Sequence, residues 1–496
     1  MSGSLRERVF SGLRWTMSAR ILVQLIAWPS TIIVMRLLNP HDYGVVAMST
    51  IVIEFVSLFG EPGLAAGLVQ TPTLREETSR AASALLALLN VSLLAILILA
   101  APAMAIWFRE PELTPVIRVA SLSLLMTAIA TVPQAHLQRE LHFREMALAL
   151  LAGSLSASVT TITCALLGFG VWSLVAGSLV LSAVRSIVVI AYNRSVVWPD
   201  FSGGFEPVRH IMHFSVHMFG IRILSYWAMN LDLIILGRML PSTAIGNYSV
   251  GSSLAAVPGD RAMEAVNRVS FPALSRMQHD REQFNRAYER ILRMLALFGF
   301  LVAWGLASVA PEFVSVVLSD KWRLAVIPLT MLSIAAPIRM LTALQNTVNN
   351  AAGVPQATTK LLTLTCLVVP IGILIGARMG GINGAAFSWV VMSGILYVVS
   401  TLYTCRLTKA HLADNLRLIV VPVVAGISML ATTSALRALL LTRLPLSVLL
   451  CVEIVAAALA FLGTLSTLGP AALGDARALM RDLLRLERAA DTGASP

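Results

Sequence analysis

Residues Arg20–Gly44 read RILVQLIAWPSTIIVMRLLNPHDYG, and residues Arg222–Gly246 read RILSYWAMNLDLIILGRMLPSTAIG. The two stretches align without a gap at an offset of 202 residues and share eight identities in 25 positions. Arg20, Ile21 and Leu22 fall on Arg222, Ile223 and Leu224; Ile32 and Ile33 fall on Ile234 and Ile235; Arg36, Leu38 and Gly44 fall on Arg238, Leu240 and Gly246. Two unrelated apolar helices share some Leu and Ile by chance. Two arginines and a glycine held in register mark an internal duplication. A weaker echo sets Gly170-Val171 on Gly381-Ile382.

Each stretch belongs to an apolar run long enough to cross a bilayer, since about 20 helical residues span a hydrocarbon core of roughly 30 Å. Such runs recur at approximately 13–37, 45–69, 82–106, 114–137, 147–168, 171–192, 211–238, 244–268, 289–310, 324–346, 358–379, 382–404, 415–436 and 447–468. The run at 13–37 is too long for a signal-peptide core and is read as the first membrane helix. Backbone groups in lipid find no water, so each run is predicted to be a helix. Six runs separate the matched stretches, an even number that keeps orientation, so the repeats are parallel. The expected architecture is all-α and polytopic, with about fourteen transmembrane helices. It comprises an N-terminal six-helix lobe (1–205), a C-terminal six-helix lobe (206–410), two additional transmembrane helices (411–470) and a cytoplasmic amphipathic tail (471–496).

The composition agrees. Hydrophobic residues make up 57% of the 496 residues and charged residues 13%, against roughly 25% charged in soluble proteins. The net charge of +11 points to anionic lipid rather than nucleic acid, because the basic residues flank apolar runs. Of the 37 Lys and Arg, 23 fall on the side of the termini and nine on the other, which predicts both termini in the cytoplasm. The far-side connections are all short, leaving no room for the large outer loop expected of a polysaccharide polymerase or ligase. The four cysteines form no CxxC pair and the histidines no HExxH, so neither a metal nor a disulfide framework is expected.

Several short motifs carry a resemblance. They are Arg36-Leu37-Leu38-Asn39-Pro40-His41-Asp42-Tyr43-Gly44, Gly60-Glu61-Pro62-Gly63-Leu64 followed by Leu68-Val69-Gln70, Leu137-Gln138-Arg139-Glu140-Leu141-His142-Phe143-Arg144, and Asn230-Leu231-Asp232 with Leu236-Gly237-Arg238. In this order the chain resembles the polysaccharide transporter (Wzx-type flippase) family of the multidrug/oligosaccharidyl-lipid/polysaccharide exporter superfamily. Its closest flavour is the exopolysaccharide subgroup that serves colanic acid, amylovoran and xanthan. The resemblance implies a V-shaped pair of lobes and alternating access in a bacterial inner membrane. It implies a substrate, an undecaprenyl-pyrophosphate-linked oligosaccharide, moved from the cytoplasmic to the periplasmic leaflet for exopolysaccharide or lipopolysaccharide synthesis. No enzyme chemistry is expected. Polymerase and chain-length or export machinery are the implied partners, beside membrane lipids. The other readings are a drug/cation antiporter of the same superfamily (MATE-like), a membrane polymerase or ligase, and a non-transporting envelope scaffold.

An ionisable residue inside a membrane span is costly and faces a cavity or a partner. The cations within spans are Arg20, Arg185, Arg222, Arg261 and Arg339, and the acids are Glu54, Asp232 and Asp260. An anionic pyrophosphate head group suits arginine, whose planar fork donates two hydrogen bonds and keeps its charge at depth. Arg20 and Arg222 lead as repeat mates. Arg261 follows, on a polar span with Asn247, Tyr248, Ser249, Ser252 and Ser253. Against this stands snorkelling of each arginine to the interface, or pairing with an acid. Glu54, Asp232 and Asp260 either balance these cations or couple transport to Na+ or H+; no other cofactor is expected.

Overall fold

The computed structural model describes residues 2–61, 63–70, 75–193, 199–200, 206–408 and 412–468. The amphipathic tail expected at 471–496 lies outside these residues. Among the described residues the chain is helical and holds no strand.

The first half runs α1 (Ser2–Leu37), α2 (Pro40–Gly60), α3 (Leu64–Gln70), α4 (Glu76–Phe108), α5 (Leu113–Ala120), α6 (Ser123–Arg139), α7 (Phe143–Leu166) and α8 (Val171–Tyr192). The second runs α9 (Glu206–Met239), α10 (Ser242–Arg276), α11 (Arg281–Ser308), α12 (Ala310–Phe313), α13 (Val326–Ala351), α14 (Pro355–Thr408), α15 (Leu412–Leu440) and α16 (Leu446–Leu468). Eleven helical segments are long and apolar enough to cross a membrane among the described residues. One of them, α14, contains two crossings, and α9 and α10 are long enough but more polar, so each of the fourteen expected spans falls on helix, the second interrupted between α2 and α3. The protein is a multi-pass membrane protein. Its outer surface fits lipid: Leu99 is 80% exposed and Met379 84%, the reverse of what a soluble fold permits over a wide area.

Local chemistry sets the ends. Proline at the first position opens α2, where its missing N–H costs nothing. The Asp42 carboxylate accepts from the Asn39 backbone N–H at 2.8 Å just outside that helix. Asp280 caps α11 by accepting from the Gln283 N–H at 3.1 Å. Arg109 ends α4 in the left-handed region, its N–H turned back on the Ile106 carbonyl.

Long α14 is broken at Gly380 and Gly381, the latter at φ 57°, ψ −135°. The chain folds back there, because the Ser388 hydroxyl donates to the Gly372 carbonyl at 2.8 Å, sixteen residues away. The α7–α8 turn repeats this geometry: Gly170 sits at φ 54°, ψ −126°. Both conformations are essentially closed to residues with a Cβ. The weak Gly-Val/Gly-Ile echo of the sequence is thus a repeated backbone turn.

Residue contacts divide the chain into two compact units, Met1–Ser249 and Val250–Pro496. This division falls within α10, whereas the repeat places its boundary near residue 205. In the first unit α7 lies against both α1 and α8. The repeat-matched glycines also meet there. A Cβ built on Gly44 would overlap the Ser242 carbonyl oxygen, and one built on Gly246 would overlap the Pro40 carbonyl oxygen. His41 secures the same crossing, its Nδ1 2.6 Å from the Ser242 hydroxyl. In the second unit a core of Tyr288, Phe300, Trp304, Leu344 and Phe461 joins α11, α13 and α16, with the Trp304 indole donating to the Ile334 carbonyl at 3.0 Å.

Candidate functional site

Two of the five intramembrane arginines share a cavity. Helix α1 supplies Thr16 and Arg20, α6 supplies Gln134 and Gln138, α7 supplies Phe143 and Met146, and α8 supplies Arg185, around a space of about 290 Å³. The helix period explains the convergence. Gln134 and Gln138 are four residues apart and so lie on one face of α6, while the packing of α7 against α1 and α8 turns Arg20 and Arg185 toward the same space. The Arg185 Nη2 donates to the Gln134 side-chain oxygen at 3.1 Å. Among the described residues no carboxylate lines the cavity. Beside it, Arg144 stacks on the Trp15 ring at 5.1 Å, which sets a third cation next to the lining residues Phe143 and Thr16. Two guanidinium groups and two amides facing one volume form a donor-rich site for an anion, with fork geometry that matches phosphate oxygens.

A second cavity, of about 250 Å³, lies along α1, α7 and α8 with Tyr43 of α2 at its side, and is lined by the hydroxyl residues Ser30, Thr31, Ser154, Ser158, Thr161 and Ser178. Several of these hydroxyls donate to their own helix, Ser30 to the Ile26 carbonyl and Thr161 to that of Ala157. Their oxygens keep acceptor capacity toward the cavity.

The remaining candidates lie elsewhere. Arg222 is exposed on α9 and donates to the Glu61 carbonyl at 3.2 Å. Arg261 is exposed, 3.5 Å from Glu264, a carboxylate that also binds Arg268 at 2.6 Å. Arg339 stacks on Trp389 at 4.3 Å, and Asp260 lies in the field of Arg339 and Arg261. Asp232 is 5% exposed; it accepts from the Tyr248 hydroxyl and from the Leu233 N–H, both at 2.8 Å, and so fastens α9 to α10. Glu54 is exposed on α2.

The structure adds residues that the sequence reading passed over. Gln134 and Gln138 are polar residues one turn apart in an apolar run, and that spacing is their signal. Glu453 is the lone acid of α16 and is fully buried, while Glu312 and Arg437 sit at helix ends that read as outer connections. Among the described residues no group of His, Cys, Asp and Glu has the geometry of a metal site.

Comparison with known proteins places this architecture. The family described as "polysaccharide biosynthesis protein" matches residues 33–327. The lipopolysaccharide biosynthesis protein WzxC of Escherichia coli (strain K12) is 25% identical over 409 residues, 80% of this chain and 81% of that protein. The succinoglycan biosynthesis transport protein ExoT of Rhizobium meliloti (strain 1021) is 28% identical over 294 residues, 59% of each chain. Among solved structures, the lipid II flippase MurJ in an inward closed conformation superposes with a TM-score of 0.73 at 15% identity, covering 96% of this chain and all of that one. At that identity the likeness is one of fold.

Proposed function

The chain belongs to the polysaccharide biosynthesis protein family, whose match takes in more than half of its length, and we propose that within it this protein is a flippase for lipid-linked oligosaccharides. It moves an oligosaccharide repeat unit on undecaprenyl pyrophosphate from the cytoplasmic to the periplasmic leaflet of a bacterial inner membrane, by alternating access and without covalent chemistry. The product feeds exopolysaccharide or lipopolysaccharide synthesis by a downstream polymerase and export machinery. Relatives bearing the names lipopolysaccharide biosynthesis protein and succinoglycan biosynthesis transport protein support the reading, as does a fold shared with a lipid II flippase.

The observation that carries it is the cavity of Arg20, Arg185, Gln134 and Gln138. Arg20 is the third residue of the membrane-crossing part of α1, Ser18–Leu37, whose N-terminal side carries the basic residues expected to face the cytoplasm. A pyrophosphate entering from the cytoplasmic leaflet meets two forks there, and the hydroxyl-lined cavity on the same helices suits the sugars that follow. Arg222 and Arg261 lie outside this cavity, each exposed on its own helix. A drug/cation antiporter would need acids in this cavity to attract its substrate, and among the described residues its lining has none. Asp232 serves the α9–α10 junction rather than ion coupling, since its two oxygens accept from Tyr248 and Leu233.

Deleting the gene in a strain with no second flippase tests the function. Lipid-linked repeat units should accumulate on the cytoplasmic leaflet, and secreted or surface polysaccharide should disappear. Unchanged polymer output in that strain would end the proposal.

A further inference from the structure

The second unit contains a charge cluster that the transport site does not use. At the C-terminal end of α15, the Arg437 guanidinium donates from Nε to Glu312 Oε1 at 2.6 Å and from Nη2 to Glu312 Oε2 at 2.5 Å. The same Nη2 donates to the Ser308 carbonyl at 2.8 Å. Glu453 of α16 also approaches this nitrogen, but only to 3.5 Å. Glu312 is 3% exposed and Glu453 not at all. Neither oxygen of Glu453 has a hydrogen-bond partner, and both are sealed from solvent.

The arithmetic of charge is unfavourable if both acids ionise. One guanidinium then faces two carboxylates and leaves an uncompensated negative charge in an apolar setting, the costliest arrangement a buried pair can take. Among the described residues the charges that act on Glu453 are those of Arg437 and Glu312, and Asp320, Lys321 and Arg323 of the helical turn Asp320–Ala325 are exposed. Glu453 is the lone charged residue of α16. Arg417 of α15 lies twenty residues before Arg437, and the other charges of α11, from Arg281 to Arg293, lie at the far end of that helix from Ser308. Beyond Glu312, α12 has no charge, and neither does the turn of helix at Val314–Leu318 that follows it. Arg443 sits in the exposed α15–α16 turn. A metal cation is a poor remedy, because it would press against Arg437 and the Ser308 carbonyl is already engaged. The proton is the ligand that fits.

We infer that Glu312, Glu453 and Arg437 form a proton-binding site in which two carboxylates share one guanidinium and hold one proton. The proton rests on Glu453, while Glu312 accepts from the fork of Arg437. It fastens α16 to α12 and α15. When it leaves to solvent, the stranded charge is relieved only by water entering the cluster or by α16 moving off its seat. The hold of the last two helices therefore weakens as pH rises. This site is independent of the substrate cavity, so its failure would leave the transport reading untouched.

Infrared spectroscopy of the full-length protein in lipid nanodiscs tests it. At neutral pH the wild type should show the carbonyl stretch of a protonated carboxylic acid, shifted in D2O. Glu453→Gln should remove that band. Glu312→Gln should remove it too, because Glu453 then becomes the sole acid beside Arg437 and ionises. The sign for stability follows from a carboxyl that keeps its proton only when folded: its contribution is present at low pH and lost as pH rises through the site's own titration. Wild-type melting temperature should thus fall with rising pH over that range, while Glu453→Gln, which mimics the protonated acid, should hold its low-pH value. A protonated-acid band unchanged in Glu453→Gln, or the absence of any such band in wild type from mildly acidic to neutral pH, would overturn the inference.

Discussion

Arg20 with Arg185 and Arg437 with Glu312 are built from the same side chain and serve opposite ends. In the first region two guanidinium groups line a cavity of about 290 Å³ together with Gln134 and Gln138. In the second one guanidinium is closed onto a carboxylate 3% exposed. What separates them is the company each cation keeps. A half-buried cation clasped by a buried carboxylate has already traded its water for structure, and it contributes nothing to a visiting anion. Under the proposed function, the cations that line the cavity turn their donors to the head group.

Substitutions can break or sharpen this contrast. The largest effect is expected at Arg437→Ala, which strands Glu312 and Glu453 together; losing one partner of a buried pair costs about 3–5 kcal/mol, so membrane abundance should fall steeply. Combining it with Glu312→Gln and Glu453→Gln should restore much of the abundance, and immunoblots of membrane fractions read both outcomes. Normal abundance of the single variant would remove the distinction between the two regions.

Next come Arg20→Ala and Arg185→Ala. Each should leave abundance normal and lose most polymer export, because forfeiting a charge-assisted hydrogen bond of roughly 1.5–3 kcal/mol weakens head-group binding on the order of ten- to a hundredfold. Arg20→Lys, which keeps the charge but not the fork, should retain partial export. Polymer yield measured beside abundance decides the matter, and normal export from both alanine variants would sink the substrate role. The smallest effect belongs to Arg261→Ala as a test of stability: its pair with Glu264 is exposed and Glu264 keeps Arg268, so the loss should stay below about 1 kcal/mol in a melting experiment.

The sequence carried the fold in two kinds of signal, and each had a limit. Apolar length located the eleven segments that are long and apolar enough to cross a membrane among the described residues, since lipid leaves the backbone no alternative to a helix. It did not show the interruption between α2 and α3 near Glu61 or the separate short α5, because a break inside an apolar run changes hydropathy little. The repeat singled out Arg20 and Arg222 as mates, yet the cavity around Arg20 is completed by Arg185. Which face of α8 meets α1, α6 and α7 is decided by packing, and hydropathy says nothing of it. Glu453 was within reach, as a single acid in the 23 apolar residues of α16. Its partners were harder to see: Glu312 and Arg437 are 125 residues apart, and only the docking of α15 on α11 makes them neighbours.

The crossing at Gly44 and Gly246 has a further meaning. Pro40 stands against Gly246 and Ser242 against Gly44, and positions 40 and 242, like 44 and 246, are the same position of the repeat. This is the signature of an isologous interface, in which one patch is complementary to itself, as in two-fold homodimers. The duplicated segment meets its own copy through a surface that two separate six-helix chains could use equally well. A side chain added to either glycine would strike the backbone of the other copy, so these two positions carry one constraint between them, set by a symmetry older than their differences.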